Sequence, residues 1–233
     1  MESVLSDTHN EFDLVELWRS LTEGRLFISR TVLADGRCSA LLTSPNSASG
    51  RLRDDDVGLL ELVLRGEAQK VVADMSFMTV SSVSNRCSRA LRGMAGESPV
   101  SRVSMVVVMA AHAAGGLPLP KARIERSEHA ATVISVEFPP VQRLWPLSSS
   151  EAEILRMTLE GRSHEEIALT RRTARRTIAN QLASVFRKVG VSGRTALKAR
   201  AVVACSREWS ARTTVGSVGA QTTTFTPSPN SSR

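Results

Sequence analysis

Between residues 171 and 188 the chain gathers Arg171, Arg172, Arg175, Arg176, Thr177, Asn180, Gln181, Arg187 and Lys188. Guanidinium and carboxamide groups can each form two parallel hydrogen bonds to one base edge. Arginine matches guanine O6 and N7, and asparagine or glutamine matches adenine N6 and N7. The hydroxyl of Thr177 can reach either kind of edge. Arg187 and Lys188 lie farther along and suit phosphates, which position a protein without reporting sequence. The competing reading of the Arg171–Arg176 cluster is a solvated charged face. A weaker set lies upstream: Ser81, Ser84, Asn85, Arg86 and Arg89 could reach bases or phosphates, or belong to a module kept only for packing.

Such side chains need a rigid element to present them. Ser148 with Glu151, and Ser163 with Glu166, have the spacing of two capping boxes, each opening a helix. Ile154, Leu155 and Leu159 form the apolar stripe of the first helix, and Gly161 is placed to end it in a left-handed conformation. A break near Thr173 then precedes a longer helix carrying Ile178, Leu182, Val185 and Phe186. A short helix, a tight turn and a longer basic helix are the parts of a helix-turn-helix, and the major groove admits one such helix. A fourth helix is expected from Ser192, behind the third.

The same apolar frame occurs earlier. Leu52 and Leu147, Leu60 and Leu155, Gly66 and Gly161, Ala73 and Ala168, and Val83 and Ile178 are each 95 residues apart. Internal repetition of this kind governs architecture. Each helical copy follows a pair of β-prone runs. One pair flanks Ala34-Asp35-Gly36, a good hairpin turn; the other runs from Ala122 and closes at Pro139-Pro140. Leu14, Leu17, Trp18 and Leu21 predict an amphipathic opening helix over Glu11–Thr22. Ser98-Pro99 reads as an N-cap followed by Pro at the first position of an apolar helix, and Ser44–Gly50 as a linker.

On these residues the second copy resembles the four-helix DNA-binding domain of the LuxR/FixJ family of bacterial regulators. Carrying the likeness are Leu147, Glu151, Glu153-Ile154-Leu155, Gly161, Ser163, Glu166-Ile167-Ala168, Thr177-Ile178, Arg187-Lys188, Gly190-Val191 and Arg194. The first copy keeps the apolar frame but few of the polar signatures, and is also similar to region four of bacterial sigma factors. Two departures stand out. Arg171 and Thr173 occupy positions where the family usually has a buried leucine and isoleucine. An unpaired buried charge is costly, so Arg171 must snorkel, pair or face DNA. Ala174 stands where the third helix usually has an N-cap serine, leaving Thr173 as a substitute.

Charge separates the copies. The chain is +7 at neutral pH. Leu147–Arg200 holds eleven Lys/Arg against five Asp/Glu, while Leu52–Met94 holds six of each. Cys38, Cys87 and Cys205 are widely spaced and odd in number, favouring reduced thiols. His9, His112, His129 and His164 have no ligand spacing. A Gly-rich phosphate loop, a nucleophile elbow and a Cys/His pair are all missing, and there is no tyrosine.

The expected fold is therefore mainly α with short β-hairpins (α+β): two tandem helix-turn-helix four-helix modules, each preceded by a hairpin. The expected boundaries are an amphipathic helix over 1–24, the degenerate module with its hairpin over 25–116, the LuxR-like module with its hairpin over 120–205, and a disordered tail over 206–233. The expected function is a sequence-specific, non-enzymatic transcription regulator in the cytoplasm, needing no cofactor or metal. Double-stranded DNA is its partner, read by the helix Ala174–Lys188, with a homodimer or an internal pseudo-dimer as the assembly and no membrane association. The alternative is an interaction module that binds RNA polymerase or another regulator instead of DNA.

Overall fold

The computed structural model describes residues 13–34, 36–44, 51–96, 99–119, 122–126, 132–137 and 144–218. In chain order the elements are α1 (Leu14–Thr22), β1 (Phe27–Ala34), β2 (Arg37–Thr43), α2 (Asp54–Leu64), α3 (Gln69–Met75), α4 (Val80–Met94), α5 (Val100–Ala114), β3 (Arg123–Arg126), β4 (Thr132–Glu137), α6 (Ser149–Leu159), α7 (His164–Thr170), α8 (Arg175–Val189) and α9 (Arg194–Val218). The fold is mainly α with a small antiparallel sheet, as the sequence predicts.

The opening helix is capped by the Asp13 carboxylate, which accepts from the Val15 amide. It buries Leu14, Leu17, Trp18 and Leu21, the stripe read from their spacing. The expected N-terminal residues Glu11 and Phe12, most of the Ser44–Gly50 linker, and Ser98 lie outside the described residues. Pro99 is the N-cap of α5 rather than its first helical residue, because its ψ of 126° is extended.

The hairpins are not separate. β2 pairs with β4, so the four strands form one sheet in the order β1-β2-β4-β3, antiparallel throughout. Ser39 and Ser135 face each other in the β2–β4 ladder, their hydroxyls 2.7 Å apart. Period-two alternation gives the sheet one apolar face: Cys38, Ala40, Leu42, Ile134 and Val136 are buried. Sequence periodicity marks strands but carries no signal for pairing between strands almost a hundred residues apart.

That face covers α5, buried in an unbroken run from Met105 to Ala113. Helix α5 touches α1, α2, α4, α9, β1 and β2. A helix apolar on all sides has to be enclosed, and here it is. Helix α9 carries two allegiances. Leu197 and Ala201 join Leu155, Leu159, Val185 and Val189 in one core, while Val202, Cys205 and Trp209 join the core around α5. Because Cys205, Ser206 and Trp209 are buried and α9 runs to Val218, the tail expected from Ser206 is helical over its first part. A Thr/Ser/Gly-rich composition hid that packing. Residues 219–233 lie outside the described residues.

Helices α2, α3 and α4 precede α6, α7 and α8 by 95 residues at both ends. Among the described residues the non-glycine residues with positive φ are Phe77 (53°) and Arg172 (51°), again 95 apart, each in the turn before the long helix. Gly66 and Gly161, both with positive φ, end α2 and α6.

Two glycines give a test of the seam between the halves. Gly190 has φ 76° with open space around it, so Gly190→Ala should cost about 1–2 kcal/mol of left-handed strain. A Cβ on Gly161 (φ 84°) would also lie 2.6 Å from the Ser101 carbonyl carbon. Gly161→Ala should therefore cost about 3 kcal/mol or more, since overpacking adds to strain. Urea unfolding of the two variants should show this ranking.

Candidate nucleic-acid interface

The interface is built on two capping boxes. In α6 the Ser148 hydroxyl accepts from the Glu151 amide while the Glu151 carboxylate accepts from the Ser148 amide, and Ser163 with Glu166 repeats the arrangement in α7. Both boxes fall where the sequence put them. Ile154, Met157, Ile167, Ala168, Ile178 and Leu182 then form a core that sets α7 against α8. Leu144, Trp145 and Leu147 pack on the adjoining core.

Helix α8 buries Ile178, Leu182, Val185 and Val189, and exposes Arg175, Arg176, Thr177 and Asn180 on its outer side. Arg172, in the turn ahead of it, is exposed too. Ala174 is the N-cap and no side chain caps the helix, so Thr173 does not substitute for the missing serine. Free amides at an uncapped N-terminus carry partial positive charge. The basic turn and the helix end thus add in one direction.

Other predicted residues are engaged within the protein. The Arg171 side chain is only 17% exposed; it donates to Glu153 at 2.8 Å, to the Ser150 carbonyl at 3.0 Å and to the Ser150 hydroxyl at 2.8 Å. Of the three fates open to Arg171, pairing is the one taken, and the turn is thereby tied to the start of α6. Gln181 is half-buried and donates to the same hydroxyl at 3.3 Å. Lys188 donates to Glu151 at 2.7 Å, and Ser184 donates to the other Glu151 oxygen at 2.9 Å. Arg187 stays exposed. Sequence reasoning found Glu151 as a cap but missed it as an anchor for α8. It missed Ser150 and Glu153 as well, since contacts 18 to 37 residues apart leave no local pattern.

In the first half, Ser81, Asn85 and Arg89 are exposed on α4 and Ser84 is half-buried. Arg86 is ion-paired with Asp56, the residues 95 before Gln181 and Glu151. Thr79 caps α4, accepting from the Ser82 amide at 3.1 Å. The α3–α4 turn differs most from its counterpart. Val71, Met75, Phe77 and Val80 are exposed there, Phe77 at 98%, where the other half has Glu166, Thr170, Arg172 and Arg175.

Electrostatics favour the folded arrangement. The Lys188 ammonium holds the Glu151 carboxyl down to about 2, helped by the Ser148 amide. The Ser163 amide and then the Arg102 guanidinium hold Glu166 at about 2. Cys38, Cys87 and Cys205 are buried and form no disulfide, and burial pushes Cys38 up to about 12. Among the described residues no acid, His or Cys cluster could hold a metal, and no helix is long and apolar enough to cross a membrane.

Residues 145–201 match the family model described as bacterial regulatory proteins, luxR family. The match begins at Trp145 and spans α6, α7, α8 and the first part of α9. No curated protein and no solved structure matches the chain. The chain thus carries a LuxR-type helix-turn-helix domain of the kind found in transcription regulators, and the matched family is a regulatory one.

The lowered carboxyl values predict acid sensitivity. Their folded values, about 2, lie below the ordinary 4.5, so both groups stabilise the fold above the ordinary value. That stabilisation is lost as pH falls from about 4.5 through the folded values. Urea midpoints measured from pH 6 to pH 2 should drop across that window, and Glu151→Gln with Glu166→Gln should flatten the drop.

Proposed function

We propose that the chain is a sequence-specific DNA-binding transcription regulator that reads the major groove with α8. The observation that carries this reading is the solvent face of α8 and its preceding turn: Arg172, Arg175, Arg176, Thr177 and Asn180 are all exposed, while Ile178 and Leu182 of the same helix anchor it to α6 and α7. Arg176 and Asn180, one turn apart, are the base-reading pair. Arg172 and Arg175 take phosphates. Arg171, Gln181 and Lys188, tied to Ser150, Glu153 and Glu151, hold α8 at its angle.

The half over 25–116 acts in this reading as a second, degenerate helix-turn-helix module, joined to the half over 120–205 as a pseudo-dimer inside one chain. The constant offset of 95, the paired positive φ at Phe77 and Arg172, and the α5–α9 and β2–β4 pairings support it. Ser81, Ser84, Asn85 and Arg89 on α4 would meet a second half-site more weakly than α8 meets the first.

A second reading rests on the exposed Val71, Met75, Phe77 and Val80. An apolar turn where its counterpart is basic suits a protein partner such as RNA polymerase, reached once α8 has docked on DNA. In that reading only one half-site contacts the chain.

Selection of genomic fragments by the purified chain at two salt concentrations tests the proposal. A recurrent motif is expected, and no binding at low salt would sink it. Arg176→Ala or Asn180→Ala should cost about 1–3 kcal/mol on the selected site and relax specificity at one position. Arg172→Ala should weaken all duplexes alike and make the salt slope shallower by about one.

A further inference from the structure

The seam between the two halves is closed on one side and open on the other. On the closed side Gly161 abuts the Ser101 backbone, Arg102 pairs with Glu166 at 2.7 Å, and the buried Lys198 ammonium donates to the Ser101 carbonyl at 3.0 Å and to the Ser104 hydroxyl. On the open side Gly66 abuts Ala199, and around that contact the α2–α3 corner and the α8–α9 corner border a cleft of 1020 Å³. That is the upper end of the size range of small-molecule sites, roughly 300–1000 Å³.

Its charge is one-sided. Arg65, Lys70, Arg187, Arg194 and Arg200 line it, against one acid, Glu67. The positions 95 residues away on the closed side are Glu160, Glu165, Arg92, Pro99, Met105 and Arg162, which balance to zero. Arg65 is paired with Glu61 and Arg194 donates to the Arg162 carbonyl. Lys70, Arg187 and Arg200 are exposed and have no partner among the described residues. They come from three separate helices, so no local sequence pattern explains their convergence. Like charges brought together in a concave site repel one another more than on an open surface, and Glu67 is the one acid among the residues that line it. The cleft also has Val63 and Phe186 in its wall, an apolar surface for a ring, and the first turn of α9, whose amides favour anions.

We propose that this cleft binds a phosphate-bearing small molecule of nucleotide size, gripped between the two halves of the chain. Lys70, Arg187 and Arg200 take the phosphate oxygens by charge-assisted hydrogen bonds, and the Val63–Phe186 wall takes the apolar part. The ligand would bridge a corner of each half, so its occupancy would bear on their relative placement.

The test uses the full chain with inorganic pyrophosphate and, separately, ATP without magnesium as probes, at fixed ionic strength. Thermal unfolding and calorimetric titration should show a saturable rise in Tm with both probes. Lys70→Glu with Arg200→Glu should weaken binding at least tenfold, and the neutral pair Lys70→Gln with Arg200→Gln should weaken it less. Arg172→Ala with Arg176→Ala, on the exposed face of α8, should leave it unchanged. An unsaturable response, or one equal in the wild type and the Lys70/Arg200 variants, would overturn the proposal. So would a loss of duplex affinity in those variants while the wild type ignores both probes, which would assign these cations to the DNA backbone.

Discussion

Helix α5 sets the terms for the rest of the molecule. From Met105 to Ala113 every residue of it is buried, and each fully buried side chain of valine or methionine size is worth about 1.5–3 kcal/mol when covered. Helices α2 and α4 cover part of it. The chain therefore brings α1 from its beginning, β1 and β2 from the first hairpin, and α9 from its far end. The four-stranded sheet follows from the same requirement, since β4 widens the apolar face that β2 offers.

The polar organisation complements this core. In the matched domain three carboxylates near the starts of α6 and α7 have work inside the protein: Glu151 holds Ser184 and Lys188, Glu153 holds Arg171, and Glu166 holds Arg102. These pairs engage Lys188 near the end of the long helix, Arg171 in the turn before it and Arg102 on α5, and leave Arg172, Arg175 and Arg176 without an ion pair among the described residues. A net charge of +6 over Leu147–Arg200 is thereby sorted into a brace and an exposed face, and only the exposed part is free to act on an anionic partner.

Local features were legible in the sequence, and long-range ones were not. The capping boxes at Ser148 and Ser163, the left-handed end at Gly161 and the buried stripe of α8 each rest on residues within one or two turns. All stand where the spacing put them. The repeat offset set the ends of α6, α7 and α8 against those of α2, α3 and α4. What escaped was pairing across the chain: β2 with β4, Trp209 with the α5 core, and Arg171 with Ser150 and Glu153. Arg171 is instructive. Its type signalled a polar contact at a normally apolar position, but the choice among solvent, carboxylate and DNA depended on where α6 begins. The same holds for Thr173, whose type suited a cap that the turn geometry does not allow.

The double role of α9 has a consequence for how the protein is made. Helix α5 leaves the ribosome about one hundred residues before Val202, Cys205 and Trp209, which help to cover it. At roughly 5–20 residues per second the wait is about 5–20 s. Throughout that interval a helix rich in valine, methionine and alanine has one side bare, at the stage when nascent chains are most prone to aggregate or to recruit chaperones. The N-terminal half is thus first to be synthesised and last to be finished, and the stretch that completes it lies beyond the matched domain.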